Sequence, residues 1–385
     1  MKKIISFLLP VYFLLTGTSV MNAQVLTVAH NTEGSMNAEI TAVLGSQNAA
    51  DIETLIVNGT ANLTLSDCNV IRDVFKTTLD TLDLSGAHFA DNKTPNGDGT
   101  TGAFLGMKIV KAILPADLSI VGNHSFRDCN MLETVVFPEG LITLGTYSFY
   151  QCSKLNIFTL PETVSTIGER AFMNCSSLEL SKLPSSLSGT IGQRTFQQCT
   201  KITINEIPSG ITTIMDLAFY GCTSIASIKF SPDTITVGAR IFEGCSGLTS
   251  ITFKGYMRNL KDDTFKNCTE LISIYFNGDT PPPTTDANAF TGATLSNITV
   301  YVPDGSQDNF NISPWKDMKD IAVNQSTSIR LPESVNGMYS NPTEDNVIVV
   351  DLSGRIVATD TNVSHLPKGI YILKNGSYIH KFVKK

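Results

Sequence analysis

Phe149-Tyr-Gln-Cys152-Ser-Lys-Leu155-Asn-Ile-Phe158-Thr-Leu160-Pro161-Glu-Thr-Val164-Ser-Thr-Ile167-Gly168-Glu-Arg-Ala171 is one turn of a pattern that fills the middle of the chain. Each turn opens with a phenylalanine three residues before a cysteine. The pairs are Phe126/Cys129, Phe149/Cys152, Phe172/Cys175, Phe196/Cys199, Phe219/Cys222, Phe242/Cys245 and Phe265/Cys268. Successive phenylalanines lie 23 residues apart, once 24. A fixed period of this size predicts a solenoid, in which each copy is one coil stacked on the last. Solenoids are usually recognition surfaces and offer no ready-made catalytic pocket.

The quoted copy gives the shape of a coil. Leu155 to Leu160 alternate in part and stop at Pro161, which cannot donate to a sheet ladder, so a main strand ends there. Val164 and Ile167 make a second short apolar pair, Gly168 permits a turn, and Ala171 and Phe172 bury again before Cys175. The main-strand column reads Val135/Phe137, Phe158/Leu160, Ile228/Phe230, Ile251/Phe253 and Ile274/Phe276. The glycine column reads Gly122, Gly145, Gly168, Gly192, Met215, Gly238 and Lys261, so a strict positive φ at that phase is not expected. The longer period before Phe196 points to a small bulge at Ser188-Gly189, and degenerate coils flank the array at Phe104 and Phe290.

Eight cysteines in an exported chain would ordinarily suggest disulfides. Here Cys129, Cys152, Cys175, Cys199, Cys222, Cys245 and Cys268 share one phase, and residues at one phase stack in a column about 5 Å apart. Met107 and Ala293 occupy the same phase and cannot form disulfides. The column is therefore expected to be a structural core ladder of thiols, cysteine acting as a small hydrophobe. No Cys-x-x-Cys pair or histidine partner suggests a metal site.

The ends differ from the array, as an open coil would expose the core. Residues 24–103 read as a βαβαβ cap: strand Val25–Val28, helix Met36–Leu44, strand Thr54–Val57, helix Asn69–Lys76 and strand Leu79–Leu84, with Asp67 or Ser66 as the second helix cap. The stretch 91–102 loosely resembles a calcium loop, although only Asp91 and Asp98 are acidic. The solenoid with its terminal cap is expected over 104–325, closing through Ile298–Val302 and the lone Trp315, then a linker over 326–340. A small β domain follows over 341–385, with strands at Val347–Asp351, Ile356–Ala358, Gly369–Leu373 and Tyr378–Val383, the last two joined at Asn375-Gly376.

Residues 1–23 read as a signal peptide. Lys2 and Lys3 precede the apolar run Ile4–Leu15, and Ala23 ends a small-residue cleavage site. No other stretch approaches transmembrane length, so no transmembrane segment is expected in the mature chain. A net charge of −7 speaks against nucleic acid and against an anionic membrane surface.

The unit Ala171-Phe172-x-x-Cys175-x-x-Leu178, with a later Leu-Pro and Ile-Gly, resembles the BspA-like leucine-rich-repeat family (type 5) over roughly 104–303. Leu82-Asp83-Leu84-Ser85 resembles the family's N-terminal caps, and Tyr301-Val302-Pro303-Asp304-Gly305 its terminal coil. The resemblance implies a mainly β, right-handed leucine-rich-repeat solenoid of about 23-residue coils, with an α/β N-terminal cap and a small C-terminal β domain. The tail, from Asn341-Pro342 through Val350-Asp351-Leu352-Ser353-Gly354 and Lys368-Gly369-Ile370-Tyr371, is similar to a type IX (Por) secretion sorting domain. Together they imply an exported protein, extracellular or on the outer-membrane surface, that adheres to host or bacterial surface proteins.

Catalytic patterns are lacking. The five histidines are scattered, and no His-Glu-x-x-His, Gly-x-Ser-x-Gly or phosphate-binding loop occurs. No enzymatic activity and no cofactor are expected. The binding face is drawn from strand alternation, which turns the residue seven after each cysteine outward. That column reads Val136, Thr159, Lys182, Glu206, Lys229, Thr252 and Tyr275. The column four after each cysteine reads Glu133, Asn156, Glu179, Thr203, Ala226, Thr249 and Ile272, and Tyr301 joins Tyr275 and Ile272 at a more apolar end. A plain solvated sheet face would read the same way. The partner expected is a host or bacterial surface protein, with a glycan in a nutrient-uptake system as the alternative.

Overall fold

The computed structural model describes residues 24–324, apart from 99, 158, 283 and 284, and four strands between 347 and 384. The signal peptide and the linker lie outside the described residues. The chain divides into two compact units, with the boundary between Ile202 and Thr203. Each is mainly β and built of parallel coils.

The first unit begins with β1 (Gln24–His30), α1 (Met36–Leu44), β2 (Ile52–Asn62), α2 (Leu65–Phe75) and β3 (Thr81–His88). The three strands pair in parallel, in the order β1, β2, β3, and continue through Lys111–Ile113 to Thr134–Val136. The βαβαβ reading of the cap holds, but α2 starts earlier than expected. Its cap is Thr64, not Asp67 or Ser66. Thr64 accepts from the Asp67 backbone and Asp67 bonds back to Thr64, a reciprocal capping box. Asp67 also accepts from Gly34 N (3.1 Å) and Met36 N (3.3 Å), so one buried carboxylate ties the start of both helices together. Burial raises its pKa, yet the bonds from Thr64, Gly34 and Met36 outweigh that and leave it below the ordinary value. Beside it, buried His30 contacts Glu39 Oε2 at 2.7 Å.

After the cap, the coils of the first unit pair along a minor side at Ile120–Val121, Thr143–Leu144 and Thr166–Ile167. Their main side departs from the sequence reading. No strand forms over the described residues of 155–160 or over 178–183. The buried residues there are Leu155, Ile157 and Leu160, and then Leu178, Leu180 and Leu183. A three-residue step from the fifth to the eighth position after the cysteine breaks the two-residue period that a strand needs.

The second unit is more regular. Glu206–Ile207, Ser227–Phe230, Ser250–Phe253, Ser273–Phe276, Thr299–Val302 and Asp320–Val323 form one parallel sheet. Ile228, Ile251, Ile274 and Val300 stand in one inward column, and Phe230, Phe253 and Phe276 in another. Trp315, fully buried, closes this core edge-on against Phe276 and Phe290. The tail forms an antiparallel sheet of Ile356–Ala358, Val347–Asp351, Gly369–Asn375 and Tyr378–Lys384, in that order.

Both units share an aromatic and thiol interior. Phe104, Phe126, Phe149, Phe172 and Phe196 stack at 5.2–5.7 Å in the first unit. Phe219, Phe242, Phe265 and Phe290 do so in the second. All eight cysteines are buried. They are more than small hydrophobes. The thiols of Cys129, Cys152, Cys175 and Cys199 each donate, at 3.0 Å, to the carbonyl of the phenylalanine that opens the preceding coil. Cys245 and Cys268 do the same in the second unit, at 3.2 and 3.3 Å. Burial pushes the thiol pKa up, to about 12 at Cys129 and Cys245.

The turn around each phenylalanine uses two left-handed residues, five before and one before the cysteine. In the first unit these are His124, Tyr147, Arg170 and Arg194, then Asp128, Gln151, Asn174 and Gln198. Side chains other than glycine resist this conformation. It persists because it aims N–H groups at the next coil: His124 N bonds Thr146 O at 3.0 Å and Asp128 N bonds Tyr150 O at 2.8 Å. The glycine column lies outside the left-handed region, as expected. Its cause is contact: a Cβ at Gly168 would stand 2.5 Å from Thr146 N.

Candidate binding surface

In the first unit, the outward positions of the main side surround a cleft of ≈ 380 Å³. Its floor is Val135, Phe137, Leu160 and Pro161, and its rim is Thr159, Lys182, Glu139 and Glu162. Two of the sequence-derived residues, Thr159 and Lys182, thus share one concavity. Lys182 Nζ pairs with Glu162, which also accepts from Ser185 N and Oγ at 2.9 and 3.0 Å. Lys182 first, then Ser185, holds the Glu162 carboxyl at about 2, so it is ionised at any physiological pH. The neighbouring column is linked by long ion pairs, Lys154–Glu133 at 3.8 Å and Lys201–Glu179 at 3.5 Å. Glu133 is exposed, while Asn156 and Glu179 are half-buried.

In the second unit the face is a flat ladder. Glu206 stands in register with Lys229, Lys229 with Thr252, and Thr252 with Tyr275. Lys229 Nζ lies 3.1 Å from Glu206, which also accepts from Ser231 Oγ. Ser231, then Lys229, lowers the Glu206 pKa. Tyr275 and Tyr301 stack, with centroids 4.6 Å apart and planes 9° apart. Ile272 is 54% exposed, and Thr203 is also exposed.

The strand-based reading overlooked the turn side. In the first unit His124 stacks on Tyr147 at 4.8 Å, and Arg170 lies over the same ring. Arg127 sits over Tyr147 and over Tyr150. All belong to the columns five and two before each cysteine, which the repeat already aligned. The turn conformation that carries them outward is not written in alternation. The acidic loop is occupied with its own chain: Asp98 accepts from Thr100 and Thr101, backbone and hydroxyl, at 2.8–3.0 Å. Among the described residues no group of three or more His, Cys, Asp or Glu could hold a metal, and no helix is long and apolar enough to cross a membrane.

The coils and their exposed faces define a leucine-rich-repeat solenoid, a class whose members bind other proteins and are typically non-enzymatic scaffolds. The chain belongs to the BspA-type leucine-rich-repeat family, whose model matches in six copies over residues 100–205 and 189–306, more than half of the chain. Among solved structures it is similar to a leucine-rich-repeat protein of T. pallidum, at 26% identity over 44% of this chain and 77% of that one, with a TM-score of 0.38. A leucine-rich-repeat protein of Bacteroides ovatus matches at 18% identity over 70% and 88%, with a TM-score of 0.35. A leucine-rich cell surface protein of Faecalibacterium prausnitzii matches at 14% over 64% and 83%, with a TM-score of 0.31. No curated protein matches.

Proposed function

We propose that this chain is an exported surface protein that attaches to a protein of a host cell, host matrix or another bacterium. It does so through its outward main-strand face, without catalysis. Membership of the BspA-type family supports a surface, protein-binding role. The observation that carries the reading is the cleft of the first unit, a concavity with a mainly polar accessible lining, where Glu139, Glu162 and Lys182 offer charge and Thr159 a hydroxyl to fix a partner's register. The ladder of Glu206, Lys229, Thr252 and Tyr275 is a separate candidate face on the second unit. The sorting-like tail fits display on the cell surface.

The test is to probe matrix and bacterial surface protein arrays with the protein, then to repeat any hit with Lys182→Glu, Lys229→Glu and Tyr275→Ala. Weakened binding by these variants supports the face. Binding that all three leave unchanged removes it. The second reading, capture of a glycan for nutrient uptake, is favoured by one observation, the exposed edge of the Tyr275–Tyr301 stack.

A further inference from the structure

The outward face of the last coils of the second unit carries an aromatic stack that stops short. Tyr275 and Tyr301 are in register on adjacent parallel strands, with parallel rings. Neighbouring strands repeat at about 4.8 Å, so each rung of this column offers the next ring position. The next rung is Ala322, paired with Tyr301. A methyl group stands where a third ring would stand. Tyr275 covers one face of Tyr301, and among the described residues no ring covers the other. Tyr301 and Ala322 are both half-exposed.

The groups beside this ring face are polar. Asp320 lies two residues before Ala322, so it shares its side of the sheet, and it is exposed. Thr299, in register with Asp320, brings a hydroxyl to the same side. Among the described residues, a ring face with no aromatic partner therefore adjoins a carboxylate and a hydroxyl.

We propose that Tyr301, with Ala322 as floor and Asp320 and Thr299 at the edge, is a subsite for one pyranose ring of a neutral saccharide. A sugar ring offers a face of polarised C–H groups, which suits the negative face of the tyrosine. Its rim offers hydroxyls that donate to a carboxylate and exchange hydrogen bonds with a threonine. An aromatic side chain from a protein could meet the same ring face, but it would leave Asp320 and Thr299 desolvated without partners. The polar rim decides for the sugar. This site rests on the second reading, glycan capture, and not on the protein-binding one; it is tested with a different ligand, so either can fail alone.

Isothermal titration of the full chain with maltohexaose, cellohexaose, xylohexaose and chitohexaose, to millimolar concentration, tests it. At least one is expected to bind. Tyr301→Ala should weaken that binding by up to about tenfold, the scale of an aromatic stacking contact. Tyr301→Phe should retain it, because the ring and not its hydroxyl makes the contact. Ala322→Leu should block it by filling the empty rung, with circular dichroism unchanged, and Asp320→Asn should weaken it. No binding by any of the four overturns the proposal. So does binding that survives both Tyr301→Ala and Ala322→Leu, or an aromatic peptide occupying the site where no saccharide does.

Discussion

The two units are made from one repeat, yet their main sides differ. In three coils of the second unit the inward residues stand three, six and eight after the cysteine: Ile225, Ile228 and Phe230; Leu248, Ile251 and Phe253; Leu271, Ile274 and Phe276; the coil at its boundary instead buries Ile204 and Ile207, five and eight after Cys199. Six and eight differ by two, so a strand forms and the surface is flat. In the middle coils of the first unit the inward residues stand three, five and eight after it, and no strand forms over the described residues. That unit has a cleft where the other has a ladder. The core tolerates both paths because the phenylalanine and thiol columns, not the main strand, fix each coil to the last.

The contrast can be broken most decisively at the fifth position. Leu180→Ser removes a buried side chain and should cost about 2–5 kcal/mol. Ser250→Leu, at the same position on the flat ladder, should stay within about 0.5 kcal/mol. The midpoint of urea unfolding reads both; similar losses would mean the two paths are not distinct.

A second change separates the cap from the coils. Asp67→Ala strands buried donors on both cap helices and should cost about 2 kcal/mol. Because the folded pKa of Asp67 is depressed, its contribution is present above the unfolded value, near 3.9, and is lost as pH falls through the folded value. Acid titration followed by circular dichroism should show the variant less acid-sensitive than the parent.

The thiol ladder should treat the units alike. Cys152→Ala and Cys245→Ala should each cost about 1 kcal/mol, one buried hydrogen bond apiece. Folded thiol pKa values are raised, so this stability is full below about 8.5 and is lost as pH rises toward about 12. Native protein should resist thiol reagents that label denatured protein fully, and rapid native labelling in one unit alone would end the symmetry. The smallest effect is at the surface: Lys182→Ala and Lys229→Ala each break a solvent-exposed ion pair, which water and salt screen. They should change stability little, so any effect on partner binding can be read cleanly.

The period and the buried cysteine column were legible from the chain, because each depends on which residues recur at one phase, and the cap helices and buried Trp315 from the break in that recurrence at either end. The difference between the coils is written in the chain too: Ile157 and Leu180 stand where Ser227, Ser250 and Ser273 stand in the regular coils, and an apolar residue at that position draws the fifth site inward. The left-handed columns were not legible: His124, Tyr147, Arg170 and Leu217 carry no glycine-like signature, and only the coil-to-coil hydrogen bonds reveal what holds them. For the same reason the turn-side cluster escaped notice. In the candidate surface, outward direction could be read from alternation. The cleft could not, since it lies between a regular coil, which gives Val135 and Phe137, and an irregular one, which gives Leu160 and Pro161.

Those left-handed columns also bear on how such a chain can lengthen. Each coil presents to its follower the donors that its predecessor presented to it, at the same backbone positions. A duplicated gene segment encoding one whole period would insert a coil that finds turn donors on the coil before it and matching acceptors on the coil after it. Copies of 22 residues (Phe104 to Phe126) and 24 residues (Phe172 to Phe196) keep these bonds, Phe104 N to Ser125 O at 2.7 Å and Phe172 N to Thr195 O at 3.0 Å. Copy number is thus open to change by recombination, while the spacing within the turn, and not the length of the copy, is held by the backbone.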